Sequence, residues 1–181
     1  DSLIMNLEKA FIKYCAQEKL LENKNQLYTI TLLNKFYNNN KLSLLNLFRK
    51  HLIKSKKTAF YLTGDVGVGK TMILDFFYNN LNTPRTRFHF NEFMIKFHDF
   101  RYEYEKTKKD NSIETFVKEI KKKTNLIYLD EFQVTNIVDA MILGKLFEIM
   151  IKKNILIIIT SNTKQRRTSK RTVFTIYFIN K

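Results

Sequence analysis

Short, unbroken apolar runs alternate with longer mixed ones along this chain. Ala59-Phe60-Tyr61-Leu62, Leu126-Ile127-Tyr128-Leu129 and Ile155-Leu156-Ile157-Ile158-Ile159-Thr160 are short and rich in β-branched and aromatic residues. Runs of that kind predict buried strands. Arg87-Phe88-His89-Phe90 predicts another strand, with a helix starting after it. The longer stretches predict helices. Residues 1–23 carry Leu3, Leu7, Ala10, Phe11 and Tyr14 at helical spacing. Residues 24–55 repeat the pattern with Leu27, Ile30, Leu33, Leu44, Leu45 and Phe48, and Asn38-Asn39-Asn40 predicts a break there. Residues 72–78 form a third helix, stopped by the asparagines and proline of 79–84. Residues 99–123 predict one exposed, charged helix ending in Lys121-Lys122-Lys123. Residues 137–152 predict a helix with Val138, Met141, Ile142, Leu146, Ile149 and Met150 on its buried side. Alternating strands and helices predict an α/β fold, a parallel sheet with helices on both faces. Ligands of such sheets bind at the C-terminal strand ends. Residues 1–55 read as an N-terminal helical segment, and 56–181 as the core.

Between the first strand and its helix lies Gly64-Asp65-Val66-Gly67-Val68-Gly69-Lys70-Thr71-Met72, which fits the phosphate-loop pattern Gly-x-x-x-x-Gly-Lys-Thr. Wrapping a polyphosphate turns several backbone N–H groups inward and uses conformations that glycine adopts cheaply. The following helix adds its own N-terminal N–H groups and dipole. Lys70 can reach the β and γ phosphates, and the Thr71 hydroxyl can hold Mg²⁺.

A second signal follows the strand at 126–129, where Asp130-Glu131 come next. Asp130 would be delivered to the metal side of the phosphate loop. Glu131 would orient or deprotonate a water for attack on the γ phosphate. The strand at 155–160 runs into Ser161-Asn162, and Asn162 holds the place of the polar sensor of AAA+ ATPases. Three separate stretches therefore agree on one site at one sheet edge. Other features carry less. His89 and His98 have no third ligand at metal-binding spacing and read as packed or surface groups. Thr107-Lys108-Lys109-Asp110 superficially matches a guanine-reading motif, but it lies in a charged stretch and reads as a solvated face.

Composition adds bounds. A chain of 181 residues suits one domain with a sizeable core. Cys15 is the single cysteine, so no internal disulfide can form; that favours a reducing compartment and an idle, packed thiol. No apolar run approaches the ~20 residues that span a bilayer, and no signal peptide is evident. The chain begins at Asp1 without methionine, the pattern of a fragment or processed product. Its net charge of +15 has two readings. It attracts nucleic acid or acidic lipid, weakly and without specificity. It also follows from A- and T-rich codons, which favour Lys, Asn, Ile, Phe and Tyr together.

These residues resemble the AFG-one-like ATPases, a family with bacterial and mitochondrial members. The resemblance rests on the phosphate loop through Met72, Phe88-His89-Phe90-Asn91-Glu92-Phe93-Met94, Asp130-Glu131-Phe132-Gln133-Val134-Thr135, Asp139-Ala140-Met141-Ile142-Leu143 and Thr160-Ser161-Asn162. It covers roughly 25 to 162. It implies an AAA+ ATPase using ATP and Mg²⁺, acting on a protein partner in cell division or in membrane-associated protein quality control. It also implies a homo-oligomer at full length. The location would be cytoplasmic and peripheral to the inner membrane in a bacterium, or mitochondrial in a eukaryote. Asn136 stands where the family has aspartate. After Thr163 the pattern dissolves into Gln165-Arg166-Arg167-Thr168-Ser169-Lys170-Arg171, as a frameshift would produce, so no arginine finger is assigned. Phe174 to Asn180 faintly returns to it, and no C-terminal lid follows. Two rival readings stand beside the ATPase: a basic nucleic-acid-binding module on the same fold, and an inactive fragment.

Overall fold

The computed structural model describes residues 6–21, 23–45, 57–65, 67, 69–107, 111–162 and 175–180. The elements in chain order are α1 (Leu7–Gln17), α2 (Lys24–Leu45), β1 (Lys57–Gly64), α3 (Lys70–Asn79), β2 (Arg85–His89), α4 (Phe90–Thr107), α5 (Ser112–Lys123), β3 (Leu126–Asp130), α6 (Ile137–Lys152), β4 (Leu156–Asn162) and β5 (Thr175–Asn180). They group into two compact units. One comprises Asp1–Asn82 with Thr163–Lys181, and the other Thr83–Asn162.

In the first unit, α1 begins where the Asn6 side chain accepts a hydrogen bond from the Lys9 amide at 3.2 Å, an N-cap. Leu7, Phe11 and Cys15 recur every four residues and are all buried. Helix α2 runs straight through Asn38-Asn39-Asn40, where a break was predicted. Asparagine favours breaks because its amide competes for backbone groups. Here those amides turn back along the helix: Asn40 Nδ2 donates to the Phe36 carbonyl at 2.7 Å, and Asn38 Nδ2 donates to Asn34 Oδ1 at 2.9 Å. Both asparagines are buried, so packing overrides propensity. Aromatic pairs bind α1 and α2 to the strand and helix flanking the glycine loop: Phe11 with Phe76, Phe36 with Phe60 and Tyr37 with Phe77. Strand β5 pairs antiparallel with β1, setting Tyr177 against Tyr61. It coincides with the apolar run inside the segment that returned to the family pattern. The altered segment before it lies outside the described residues.

In the second unit, β2, β3 and β4 are parallel, with Arg87 opposite Tyr128, His89 opposite Asp130 and Leu129 opposite Ile159. All five residues of β3 are buried, as expected of a central parallel strand. Strand β2 lies at 85–89, and Phe90, predicted as its last residue, opens α4. Phe93, Phe97 and Phe100 of α4 meet Phe116 of α5 at ring-centroid distances of 5.9, 5.3 and 5.3 Å. The single helix predicted over 99–123 is therefore two helices folded together. The reversal is prepared by Asn111, at φ +77°, a left-handed conformation that asparagine tolerates better than most residues. Thr107 ends α4, while 108–110 of the guanine-like motif lie outside the described residues.

Helix α6 has the predicted bounds but not the predicted face. Its buried residues are Ile142, Leu143, Leu146 and Met150, whereas Val138 and Met141 are 64% and 73% exposed. The first turn points out of the unit, and the buried stripe starts one turn later.

Candidate functional site

The glycine loop leaves the C-terminal end of β1, whose residues Ala59, Phe60, Leu62, Thr63 and Gly64 are buried. Gly67 and Gly69 take φ +83° and +84°, backbone that a Cβ would strain. A Cβ at Gly69 would also meet the Gln26 amide nitrogen of α2 at 2.7 Å, so that flexible side chain would have to move aside. Gly69 is the N-cap of α3 and offers no capping side chain. No side chain at the N-cap competes for the first turn of α3, an arrangement suited to binding anions at helix ends. Lys70 is buried at the start of that helix. Its ammonium donates to the carbonyls of Gly64 at 2.7 Å and Asp65 at 2.6 Å. Those two bonds hold a positive charge at the loop, where α3 begins. Thr71 is exposed and Met72 half-buried beside it; Val66 and Val68 lie outside the described residues.

The second unit holds the acids. Asp130 closes β3 with its carboxylate buried, and three donors converge on it. Oδ1 accepts from the Thr160 hydroxyl at 2.6 Å and from the Glu131 amide at 3.0 Å. Oδ2 accepts from Arg87 Nη2 at 2.5 Å. Burial is the strongest single influence and would raise the Asp130 pKa. The Thr160 bond, the Arg87 bond and charge, and the Glu131 amide together outweigh it and hold the group below the usual range. Asp130 is thus an ionised carboxylate with both oxygens aimed. Glu131 follows at φ +54°, a left-handed backbone uncommon for a non-glycine residue. This turns it away from the strand line, leaving its side chain 71% exposed. His89 Nδ1 lies 3.9 Å from Glu131 Oε2. The amide of Phe132 donates to the Thr160 carbonyl at 2.7 Å, so β3 and β4 stay linked past Asp130. Asn162 ends β4, exposed and two residues beyond Thr160, hence on the same face of the strand.

The described structure therefore gathers Gly64, Asp65, Gly67, Gly69, Lys70, Thr71 and Met72 in one unit. It gathers Asp130, Glu131 and Asn162 in the other. Arg87 and Thr160, which grip Asp130, were not singled out by motif. Their sequence separations from Asp130 are 43 and 30 residues, and only the parallel register of β2, β3 and β4 brings them together. His98 bonds Asp139 at 3.1 Å. Asn136 caps α6 through a 2.7 Å bond from the Asp139 amide, a task asparagine and aspartate perform about equally well. Asparagine at 136, where the resemblance implies aspartate, therefore performs that cap.

A family profile described as AFG1-like ATPase matches residues 5–178. The chain belongs to the AFG1-like ATPase family. The match extends beyond the 25–162 carried by the motifs and takes in most of β5. A Schizosaccharomyces pombe relative, Uncharacterized protein C115.02c, is 41% identical over 113 residues, covering 58% of this chain and 24% of that protein. Cell division protein ZapE of Escherichia coli K12 is 35% identical over 105 residues, covering 58% of this chain and 28% of ZapE. The chain thus spans about a quarter of the length of these two relatives. Domain III of the Thermotoga maritima replication initiation protein DnaA is similar with a TM-score of 0.47 and 17% identity, over 80% of this chain and 54% of that one. No helix among the described residues is long and apolar enough to cross a membrane.

Proposed function

We propose that this chain is the nucleotide-binding core, within 56–181, of an AAA+ ATPase that hydrolyses ATP with Mg²⁺ to act on a protein partner. The observation that supports it most is the loop at Lys70. A buried ammonium on two loop carbonyls and an uncapped helix N-terminus make a receptor for a polyphosphate. In this reading Gly64 to Met72 cradle the phosphates and Lys70 neutralises them. The hydroxyl of Thr71 and the carboxylate of Asp130 are hard oxygen donors of the kind Mg²⁺ prefers. Asp130 fits that role because its carboxylate is ionised and already holds a cation, the Arg87 guanidinium. Bound Mg²⁺ would supply charge neutralisation on the phosphates. Glu131, exposed and free to turn, accepts the proton of the attacking water, and Asn162 donates to the reacting phosphate. The ZapE name suggests a cell-division setting; a membrane quality-control role is the other setting the family offers. Homo-oligomer formation at full length, a place peripheral to a bacterial inner membrane, or a mitochondrial one, belong to the same proposal.

Lys70→Ala tests it. The variant loses the loop's positive charge and should bind a fluorescent ATP analogue at least ~10-fold more weakly, from one lost charge-assisted bond. Equal binding by variant and parent would reject the assignment.

A further inference from the structure

Among the described residues, Arg87 is the cation paired with Asp130. The two oxygens of that carboxylate are held differently. Oδ1 is fixed by Thr160 and by the Glu131 amide, so the carboxylate stays aimed whatever Arg87 does. Among the described residues, Oδ2 accepts only from the guanidinium. A divalent cation on Asp130 needs an oxygen lone pair and surroundings free of competing positive charge. The guanidinium takes the first and spoils the second. The guanidinium also has a contact that does not involve Asp130. Its carbon lies 4.8 Å from the ring centroid of Tyr128, its register partner on β3, and its side chain is about a third exposed against 9% for Asp130. The ring face keeps a contact with the guanidinium if the bond to Oδ2 is given up, while Thr160 and the Glu131 amide still hold Oδ1.

We propose that Arg87 is a stand-in cation: it occupies Asp130 Oδ2 when no divalent ion is bound and yields that oxygen to Mg²⁺ arriving with nucleotide. Arg87 is then a positioning residue that sets how tightly the metal is held. Metal-free Asp130 keeps its geometry, and metal leaves easily after the nucleotide is spent. This rests on the reading of Asp130 as a metal ligand.

The test uses Arg87→Gln, Arg87→Lys and Asp130→Asn. Each is titrated with Mg²⁺ at saturating fluorescent ADP, and bound metal is counted separately by paramagnetic resonance with Mn²⁺. Arg87→Gln should tighten metal binding about tenfold, the worth of one charge-assisted hydrogen bond no longer competing. Arg87→Lys keeps a charge but not the stacked fork, and should tighten it by less. A role confined to stability would lower the melting temperature without tightening metal. Unchanged or weaker metal binding in Arg87→Gln, with Asp130→Asn still losing metal, would overturn the stand-in role alone. If Arg87→Gln does not fold, Arg87→Lys decides by the same criterion. Metal binding undiminished in Asp130→Asn would instead overturn the reading of Asp130, and the stand-in role with it.

Discussion

Burial alone would keep Asp130 protonated to higher pH than an exposed aspartate, and its neighbours reverse that. The decisive partner within hydrogen-bond reach is Thr160, 2.6 Å from Oδ1 and 3% exposed. A carboxylate held below its ordinary value contributes stability that is fully present above the unfolded pKa, ~3.9. That stability is lost as pH falls through the lower folded value. Thr160→Val keeps the shape but deletes the hydroxyl. The folded pKa of Asp130 then moves back up, so acid unfolding should begin at higher pH. At neutral pH the buried acceptor left short should cost roughly 1–3 kcal/mol. Denaturant melts across an acid pH series measure both, and an unchanged acid limb would show that Thr160 does not tune Asp130. At this scale the motifs were legible because each is local: Gly64 to Met72 and Asp130-Glu131 are contiguous residues. Arg87 and Thr160 were not, because a side chain's partner across a parallel sheet depends on register, which no local spacing encodes.

Elements followed their apolar patterns where one face alone decided, and departed where packing or a turn residue intervened. The strands β1, β3 and β4 sit on their predicted runs, since a short apolar run has little else to become in an α/β chain. The asparagines of α2 and the apolar first turn of α6 misled, for opposite reasons. Buried Asn38 and Asn40 found partners within their own helix. Val138 and Met141, apolar and at helical spacing, are exposed, off the face that buries Ile142, Leu143, Leu146 and Met150. The aromatic cluster joining α4 to α5 yields a direct contrast. Phe97 is fully buried against Phe116, and Phe97→Ala should destabilise by about 3–5 kcal/mol through the cavity left behind. Met141→Ser, on the outward turn of α6, should change stability by less than ~0.5 kcal/mol. Chemical denaturation separates the two. A large loss at Met141 would mean that this turn is covered in solution and that the pattern-based reading of its face was right.

The alternation of strands and helices anticipated the parallel β2-β3-β4 ladder. It missed β5, whose antiparallel pairing to β1 comes from the far end of the chain. Net charge is the property that belongs to the whole molecule and to no element. At +15 the chain attracts any polyanion, and that attraction needs no built site. Two features of the structure separate it from nucleotide binding. Lys70 is buried and engaged with loop carbonyls, so it adds little to the outward field. Among the described residues several other lysines are exposed and paired with nearby acids, such as Lys118 with Glu114 and Lys122 with Glu119, which cancels part of the charge locally. Binding to nucleic acid or acidic vesicles should therefore be weak and indifferent to sequence. It should fall steeply with salt, because each phosphate contact releases counterions and lowers log affinity against log salt with a slope near ~0.9 per contact on duplex DNA. Lys70→Ala should leave that binding unchanged while losing the ATP analogue. Filter binding and vesicle flotation at rising salt, on parent and variant together, check this. Tight, sequence-selective binding that survives physiological salt would instead identify a nucleic-acid module built on the same fold, and co-loss of both activities in Lys70→Ala would place the polyanion in the phosphate loop itself.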